Sequence, residues 1–190
     1  MPGPLHPATC TIIIRMETPE FKTVGIVGAG AMGRGIAQIA AQAGSKVLLF
    51  DTQADAVAKA RESVAAQWDK LVEKGRIDAA AATAQKERLQ PAATLADLAP
   101  CDLIVEAIVE RLDVKKGLFA ELEGIVQPTA VLATNTSSLS VTAIAAGLKR
   151  PQQFAGFHFF NPVPLMKVVE CIAGLKTRSE ERRVGKECLR

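Results

Sequence analysis

Residues 22–33 read Lys22-Thr-Val-Gly-Ile-Val27-Gly28-Ala29-Gly30-Ala31-Met32-Gly33, and the reading of this stretch decides the fold. KTVGIV is an apolar run of strand length that ends in Gly-x-Gly-x-x-Gly. Ile36, Ile39 and Ala40 then recur at helical spacing until Gly44 supplies a stop. Lys46–Phe50 (KVLLF) is a second strand, closed by Asp51, which lies 23 positions after Gly28. Glycine-rich turns are common; what a dinucleotide site demands is strand, glycine triplet, helix, strand and acid in that order. Gly28 permits the tight turn, Gly30 lets the backbone approach a pyrophosphate, and Gly33 allows close helix–strand packing. A helix starting near Ala31 presents its free N–H groups and positive dipole end to the phosphates, so Gly28 to Gly33, with Ala29, Ala31 and Met32, form the cradle. A carboxylate at Asp51 hydrogen-bonds a ribose 2′-hydroxyl and repels a 2′-phosphate, which favours NAD over NADP. The competing reading is a glycine-rich turn of another α/β protein, with Asp51 as a helix N-cap.

Outward from this unit, residues 54–74 are Ala-rich with Val57, Val64, Trp68, Leu71 and Val72 at helical intervals until Gly75. A further helix is predicted over 78–88. Leu103–Glu106 (LIVE) and Ala130–Ala133 (AVLA) read as strands, with a helix over Val114–Leu122 between them and a short one around Thr142–Ala146 after them. Apolar strands at 154–160 and 166–171 complete the pattern. Strands alternating with helices predict an α/β fold: a Rossmann-type, doubly wound, mostly parallel sheet flanked by helices. No internal repeat is present, and the Ala run at 79–84 is helix filler.

The 190 residues fit one domain, or one and the start of another, at roughly 100–200 residues each. A hydrophobic content of 48% with 23% charged residues excludes a disordered chain. No run reaches the roughly 18 apolar residues of a membrane helix. Four cysteines without a CxxC pair argue against a disulfide scaffold or a zinc site, and fit a reducing, cytoplasmic compartment. Lys176–Arg190 holds six basic and three acidic side chains against 23 and 20 in the whole chain, so all of the +3 excess lies there. With that balance, no Tyr and one Trp, nucleic-acid binding has no support. Residues 1–20 have neither the basic n-region nor the apolar h-region of a signal peptide, and are expected to be a flexible extension, with Met16 as the preferred start.

Two segments carry candidate chemistry. His158 stands in Phe154-Ala-Gly-Phe-His158-Phe-Phe-Asn161-Pro-Val-Pro164, which holds four of the seven phenylalanines. If the Pro-rich turn at 161–165 folds 154–160 against 166–171, position 158 pairs with 168. Glu170 is then a same-face diagonal neighbour about 7–8 Å away, within reach of the imidazole. A carboxylate there fixes the tautomer and stabilises the imidazolium, as a general base requires; the competing reading is a hydrogen-bonded core histidine. Asn135-Thr-Ser137-Ser138-Leu-Ser140 directly follows a strand, where doubly wound sheets bind ligands, but Ser and Asn also favour helix N-caps.

These residues are similar to a known family. Phe21 to about Thr177 resembles the NAD-binding domain of the 3-hydroxyacyl-CoA dehydrogenases, near the bacterial 3-hydroxybutyryl-CoA and 3-hydroxyadipyl-CoA enzymes. The matching blocks are VGIVGAGAMGRGIAQIAA, DLIVEAIVERLDVKKGLF, ATNTSSLS and FAGFHFFNPVPLMKVVE, of which HFFNPVPLMK is the most specific. The resemblance implies reversible, NAD-dependent oxidation of (S)-3-hydroxyacyl-CoA to 3-oxoacyl-CoA, as in fatty-acid β-oxidation. His158 would exchange the proton of the 3-hydroxyl, Glu170 would orient it, and Ser137 would contact substrate and cofactor near the reacting carbon. Gly28–Gly33 and Asp51 would hold the adenosine half of NAD, with Glu110, Lys115 and Asn161 lining the rest of its path. Taken alone, Glu110 and Lys115 read as an exposed loop and an exposed helix face. Lys74 matches a lysine that contacts coenzyme A phosphate, whereas Gln67 departs from an expected serine.

The family also places a helical C-terminal domain after this one, supplying a homodimer interface and one wall of the substrate cleft. The 190 residues contain none of it, and RSEERRVGKECLR (178–190) does not continue the pattern. The expectation is therefore a nucleotide domain over 21–177, a non-native tail over 178–190, weak NAD binding and little turnover from this chain by itself. Two alternatives compete: a non-catalytic dinucleotide-binding module, and another β-hydroxyacid dehydrogenase with the same glycine loop. The second is disfavoured because its lysine base has no counterpart in a matching motif.

Overall fold

The apolar run after Phe21 forms strand β1 (Thr23–Val27). The computed structural model, which describes residues 21–166 and 168–177, builds a seven-stranded sheet around it. In chain order follow α1 (Ala31–Gln42), β2 (Lys46–Phe50), α2 (Ala54–Glu73), α3 (Ala79–Arg88) and β3 (Leu89–Pro91). Then come β4 (Leu103–Glu106), α4 (Leu112–Ile125), β5 (Val131–Thr134), α5 (Val141–Ala145), β6 (Phe154–Phe159) and β7 (Val169–Ala173). The sheet order is β3-β2-β1-β4-β5-β6-β7; the strands through β6 are parallel and β7 is antiparallel. The expected Rossmann-type, doubly wound sheet is present. The chain reverses its direction of travel across the sheet between β1 and β4, and that is where such folds open a ligand crevice.

Both faces of the sheet are buried, as crossover helices require. Val24, Ile26, Val47, Leu49 and Val105 face α1 and α2, where Ile36, Ala37, Val64 and Trp68 pack. Leu48, Ile104, Leu132 and Phe154 alternate to the other face, against Phe119 and Leu122 of α4 and Ile144 of α5. There Phe119 and Phe154 meet edge to face at 4.7 Å and 88°, a geometry worth about 0.5–1.5 kcal/mol beyond area burial.

The strand and helix expectations hold with shifted ends. Asp78 caps α3 by accepting from the Ala81 N–H at 2.5 Å, and Gly44 and Gly75, both with positive φ, follow the ends of α1 and α2. The predicted helix over 114–122 begins earlier, at Leu112. Strand β3 was not expected: three residues ending in proline carry no pattern, and they pair because the edge of β2 is free to take them. The last strand spans 169–173 instead of 166–171. Consequently the predicted pairing of position 158 with 168 is wrong; His158 lies directly opposite Glu170. The cause is the connection, in which the Leu165 and Met166 N–H groups both bond the Pro162 carbonyl and lengthen the turn. The expected extension at 1–20, the start at Met16 and the tail at 178–190 lie outside the described residues.

Candidate active site

The glycine loop follows β1, and its three glycines are needed for three different reasons. Gly28 has φ of +104°, and a Cβ there would lie 2.6 Å from the Ala107 carbonyl oxygen on the neighbouring strand end. A Cβ at Gly33 would lie 1.8 Å from the Gly28 carbonyl oxygen, so α1 can sit this close to β1 only without one. Around Gly30 a Cβ would meet nothing within 4 Å; the space it leaves is outside the protein, above the loop. Gly30 is the N-cap of α1, with no side-chain cap and no acidic residue in the first turn. The first-turn N–H groups therefore lack intrahelical partners and the positive end of the helix is uncompensated, so this cradle fits an anion such as a pyrophosphate.

Asp51, at the end of β2, accepts from the Ala29 N–H at 2.7 Å and the Gln53 N–H at 2.9 Å. It is not the N-cap of α2, which is Gln53. Its carboxylate braces the glycine loop at the edge of the cradle.

The second half of the site is made of ions. Lys115 of α4 is fully buried, not on an exposed helix face. Its Nζ donates to Glu106 Oε1 at 2.7 Å and Oε2 at 3.0 Å, reaches Glu110 Oε2 at 3.0 Å, and lies 3.4 Å from the Asn135 carbonyl oxygen. Glu110 Oε1 accepts from the Thr136 hydroxyl and, at 3.2 Å, from the Ser137 N–H. Partial burial pushes the Glu110 carboxyl up, but the Thr136 hydrogen bond and Lys115 outweigh it and hold it below the usual carboxylate range. Lys115 thus faces the carboxylates rather than open space, and the residue presented outward is Glu110, whose side chain is 37% exposed.

Ser137 and Ser138 are exposed on the loop after β5, while Ser140 is the one that caps a helix, accepting from the Ala143 N–H at 3.2 Å. The two readings of this segment therefore divide among its residues. Asn135 Oδ1 accepts from the Phe159 N–H at 3.0 Å, tying the loop to the end of β6. His158 stands on that strand end with Nδ1 2.8 Å from Glu170 Oε2. Its ring packs against Phe160 at 4.7 Å between centroids, and it keeps 22% side-chain exposure. Among the described residues Nε2 has no hydrogen-bond partner, so a core histidine satisfied on both nitrogens does not describe it.

Asn161 lines a cleft of ≈ 220 Å³ between α1, α2 and the 161–165 turn, together with Arg34, Gln38 and Gln67. Lys74 caps the end of α2 and is exposed. The structure brings Glu110, Lys115 and Ser137 into one hydrogen-bonded group and links it through Asn135 to the strand of His158. Asn161 and Lys74 stand apart from that group. Glu106 and Thr134 were not expected as site residues, and Asn135 and Thr136 were expected only as part of the loop that carries Ser137. The available signal was helical spacing: Lys115, Phe119 and Leu122 form one buried stripe of α4.

Burial pushes the Cys101 thiol up to about 12, which excludes it as a nucleophile at neutral pH. Among the described residues no helix is long and apolar enough to cross a membrane. No group of three or more His, Cys, Asp or Glu is placed to hold a metal ion there either.

Comparison with known proteins agrees with this fold. Residues 23–188 match the family described as 3-hydroxyacyl-CoA dehydrogenase, NAD binding domain. The chain is 46% identical over 161 residues to 3-hydroxyadipyl-CoA dehydrogenase of Escherichia coli (strain K12), covering 85% of this chain and 34% of that one. It is 42% identical over 167 residues to 3-hydroxybutyryl-CoA dehydrogenase of Bradyrhizobium diazoefficiens, covering 88% and 57%. A solved structure, (S)-3-hydroxybutyryl-CoA dehydrogenase from Ralstonia eutropha, superimposes with a TM-score of 0.84 at 39% identity, covering 87% of this chain and 59% of that one. The chain therefore spans from about a third to three fifths of the length of these relatives.

Proposed function

The chain belongs to the 3-hydroxyacyl-CoA dehydrogenase family through its NAD-binding domain, and from that premise we propose that it serves the reversible, NAD-dependent oxidation of a (S)-3-hydroxyacyl-CoA to the 3-oxoacyl-CoA. The observation that carries the reading is the His158–Glu170 pair at 2.8 Å on the carboxyl side of the sheet, beyond the strands that hold the glycine loop and the Glu110 group. With Glu170 accepting from Nδ1–H, the neutral ring keeps its lone pair on Nε2, the nitrogen without a hydrogen-bond partner among the described residues. That nitrogen takes the proton of the 3-hydroxyl as the C3–O bond becomes a carbonyl, and returns it in the reverse direction. Glu170 steadies the resulting imidazolium. Bound NAD supplies the hydride acceptor.

The Gly28–Gly33 cradle holds the pyrophosphate, Asp51 receives the adenosine ribose, and the Glu110–Lys115–Ser137 group lies under the nicotinamide half. Asn161 lies on the rest of the NAD path, and the cleft beside Gln67, with Lys74 beyond it, receives the acyl-CoA. A dinucleotide module without catalysis has no need of a carboxylate-oriented imidazole at the carboxyl end of a strand, which is why the enzyme reading is preferred. In this reading the nucleotide domain spans 21–177 of a soluble, cytoplasmic protein that dimerises through the helical C-terminal domain the family resemblance implies.

The test is NADH consumption with acetoacetyl-CoA by the full-length gene product, before and after His158→Ala. Loss of at least about a thousandfold in kcat is expected for removal of the general base, within the range of such catalysis. Undiminished turnover overturns the mechanism.

A further inference from the structure

We propose that Glu106 is a positioning residue for the nicotinamide half of the cofactor site, acting through Lys115 on Glu110 and the Ser137 loop. The proton-transfer chemistry above does not use Glu106, yet its carboxylate is completely buried at the end of β4. Four contacts converge on it: the Ile108 N–H at 2.7 Å, the Thr134 hydroxyl at 2.7 Å, and Lys115 Nζ at 2.7 and 3.0 Å. Removing two opposite charges from water is costly, and a well-packed apolar pair of the same volume commonly does as well or better for stability. Stability alone therefore gives little reason for this pair, whereas direction does. Glu106 fixes the ammonium of Lys115 at a point where it also faces Glu110 and the Asn135 carbonyl.

The order of dependence then runs outward. Glu106 sets Lys115, Lys115 sets Glu110, and Glu110 sets Thr136 and the Ser137 N–H. Three segments meet at one ammonium: the end of β4, the loop leading into α4, and the loop after β5. The glycine loop lies on the other side of the strand-order reversal and contributes no group to this chain of bonds. Glu106→Gln keeps the size and the acceptor oxygen, and Thr134 can turn its hydroxyl to accept from the new amide. What it removes is the charge that anchors Lys115 at the point from which it also reaches Glu110.

The inference rests on the dinucleotide reading, and two probes separate them: NADH, which carries the nicotinamide, and ADP-ribose, which does not. NADH binding to the chain and to Glu106→Gln is read by its fluorescence, and ADP-ribose binding by calorimetry. The variant is expected to raise the Kd of NADH about tenfold, ~1.4 kcal/mol, while ADP-ribose binds within twofold of the parent. Should Glu106→Gln unfold too readily to titrate, the double variant Glu106→Gln/Lys115→Met, which removes both charges, is read the same way. A variant that binds both probes as the parent does, or weakens both together, overturns the inference alone. A parent chain that binds neither overturns the cofactor reading and the inference with it.

Discussion

The glycine loop after β1 and the ion cluster after β4 flank the same strand-order reversal and are built from opposite materials. The loop is nearly all backbone: three glycines, an uncapped helix start, and one carboxylate, Asp51, bracing it from β2. The cluster is nearly all side chain: Glu106, Lys115, Glu110 and Thr136 reach across three segments to hold a fifth residue, Ser137. The first is shaped by what must be missing, since a methyl group at Gly28 or Gly33 collides with main chain. The second is shaped by what must be present in compensating pairs, because each buried charge is tolerated only while its partner remains. Damage to the two halves should therefore have different signatures.

The largest effect falls on the loop. Gly33→Ala places a Cβ 1.8 Å from the Gly28 carbonyl oxygen, and neither α1 nor β1 can retreat without opening the core. Upward of about 5 kcal/mol of stability is expected to go, beyond the usual range of single substitutions, read as loss of a cooperative urea transition. Gly30→Ala is its foil, because a methyl group there touches nothing. It should fold with an unchanged melting curve and lose NADH and ADP-ribose affinity together. Equal destabilisation by the two substitutions would show that the glycines are simply a flexible turn.

The cluster comes next. Lys115→Met leaves Glu106 buried with its main counter-charge gone, and breaking such a pair from one side costs about 3–5 kcal/mol. The double variant with Glu106→Gln removes both charges and should recover most of that loss, a non-additivity that a double-mutant cycle in urea measures directly. Additive losses would mean that the two side chains do not act as a pair.

This contrast also explains what could be read from the chain. Gly28, Gly30 and Gly33 were legible because their requirement is local: a fixed spacing after one strand, imposed by sterics on one residue type. His158 and Glu170 were legible as partners but not in register, because the register depends on how the 161–165 turn bonds to itself. The cluster was least legible. Glu106 ends an apolar strand and Lys115 lies in the first turn of a helix, where a lysine ordinarily means solvent. They meet because residues two apart on β4 share a face, which puts Glu106 beside Ile104 and under the Phe119–Leu122 stripe of α4. Such a pairing needs the packed sheet, and local spacing alone does not announce it.

The smallest effect tests which force wins at Glu110. Burial by itself raises a carboxyl pKa, while the Thr136 hydrogen bond and Lys115 lower it, and their sum lies on the low side. A group whose folded pKa is depressed contributes stability that is fully present above its unfolded value, about 4.3 for Glu. That stability is lost only as pH falls through the lower folded value. Glu110→Gln has nothing to titrate at this position, so the stability gap between parent and variant isolates the contribution. The gap should stay constant from pH 7 to about pH 5, then narrow below the ordinary Glu range. It should also be modest, because the carboxylate is 37% exposed and water screens its attraction to Lys115. A gap that instead widens as the pH falls from about 6 to 5 would place the folded pKa above the unfolded one. Desolvation would then win at Glu110, and the ion cluster could not hold the Ser137 loop in the way its geometry implies.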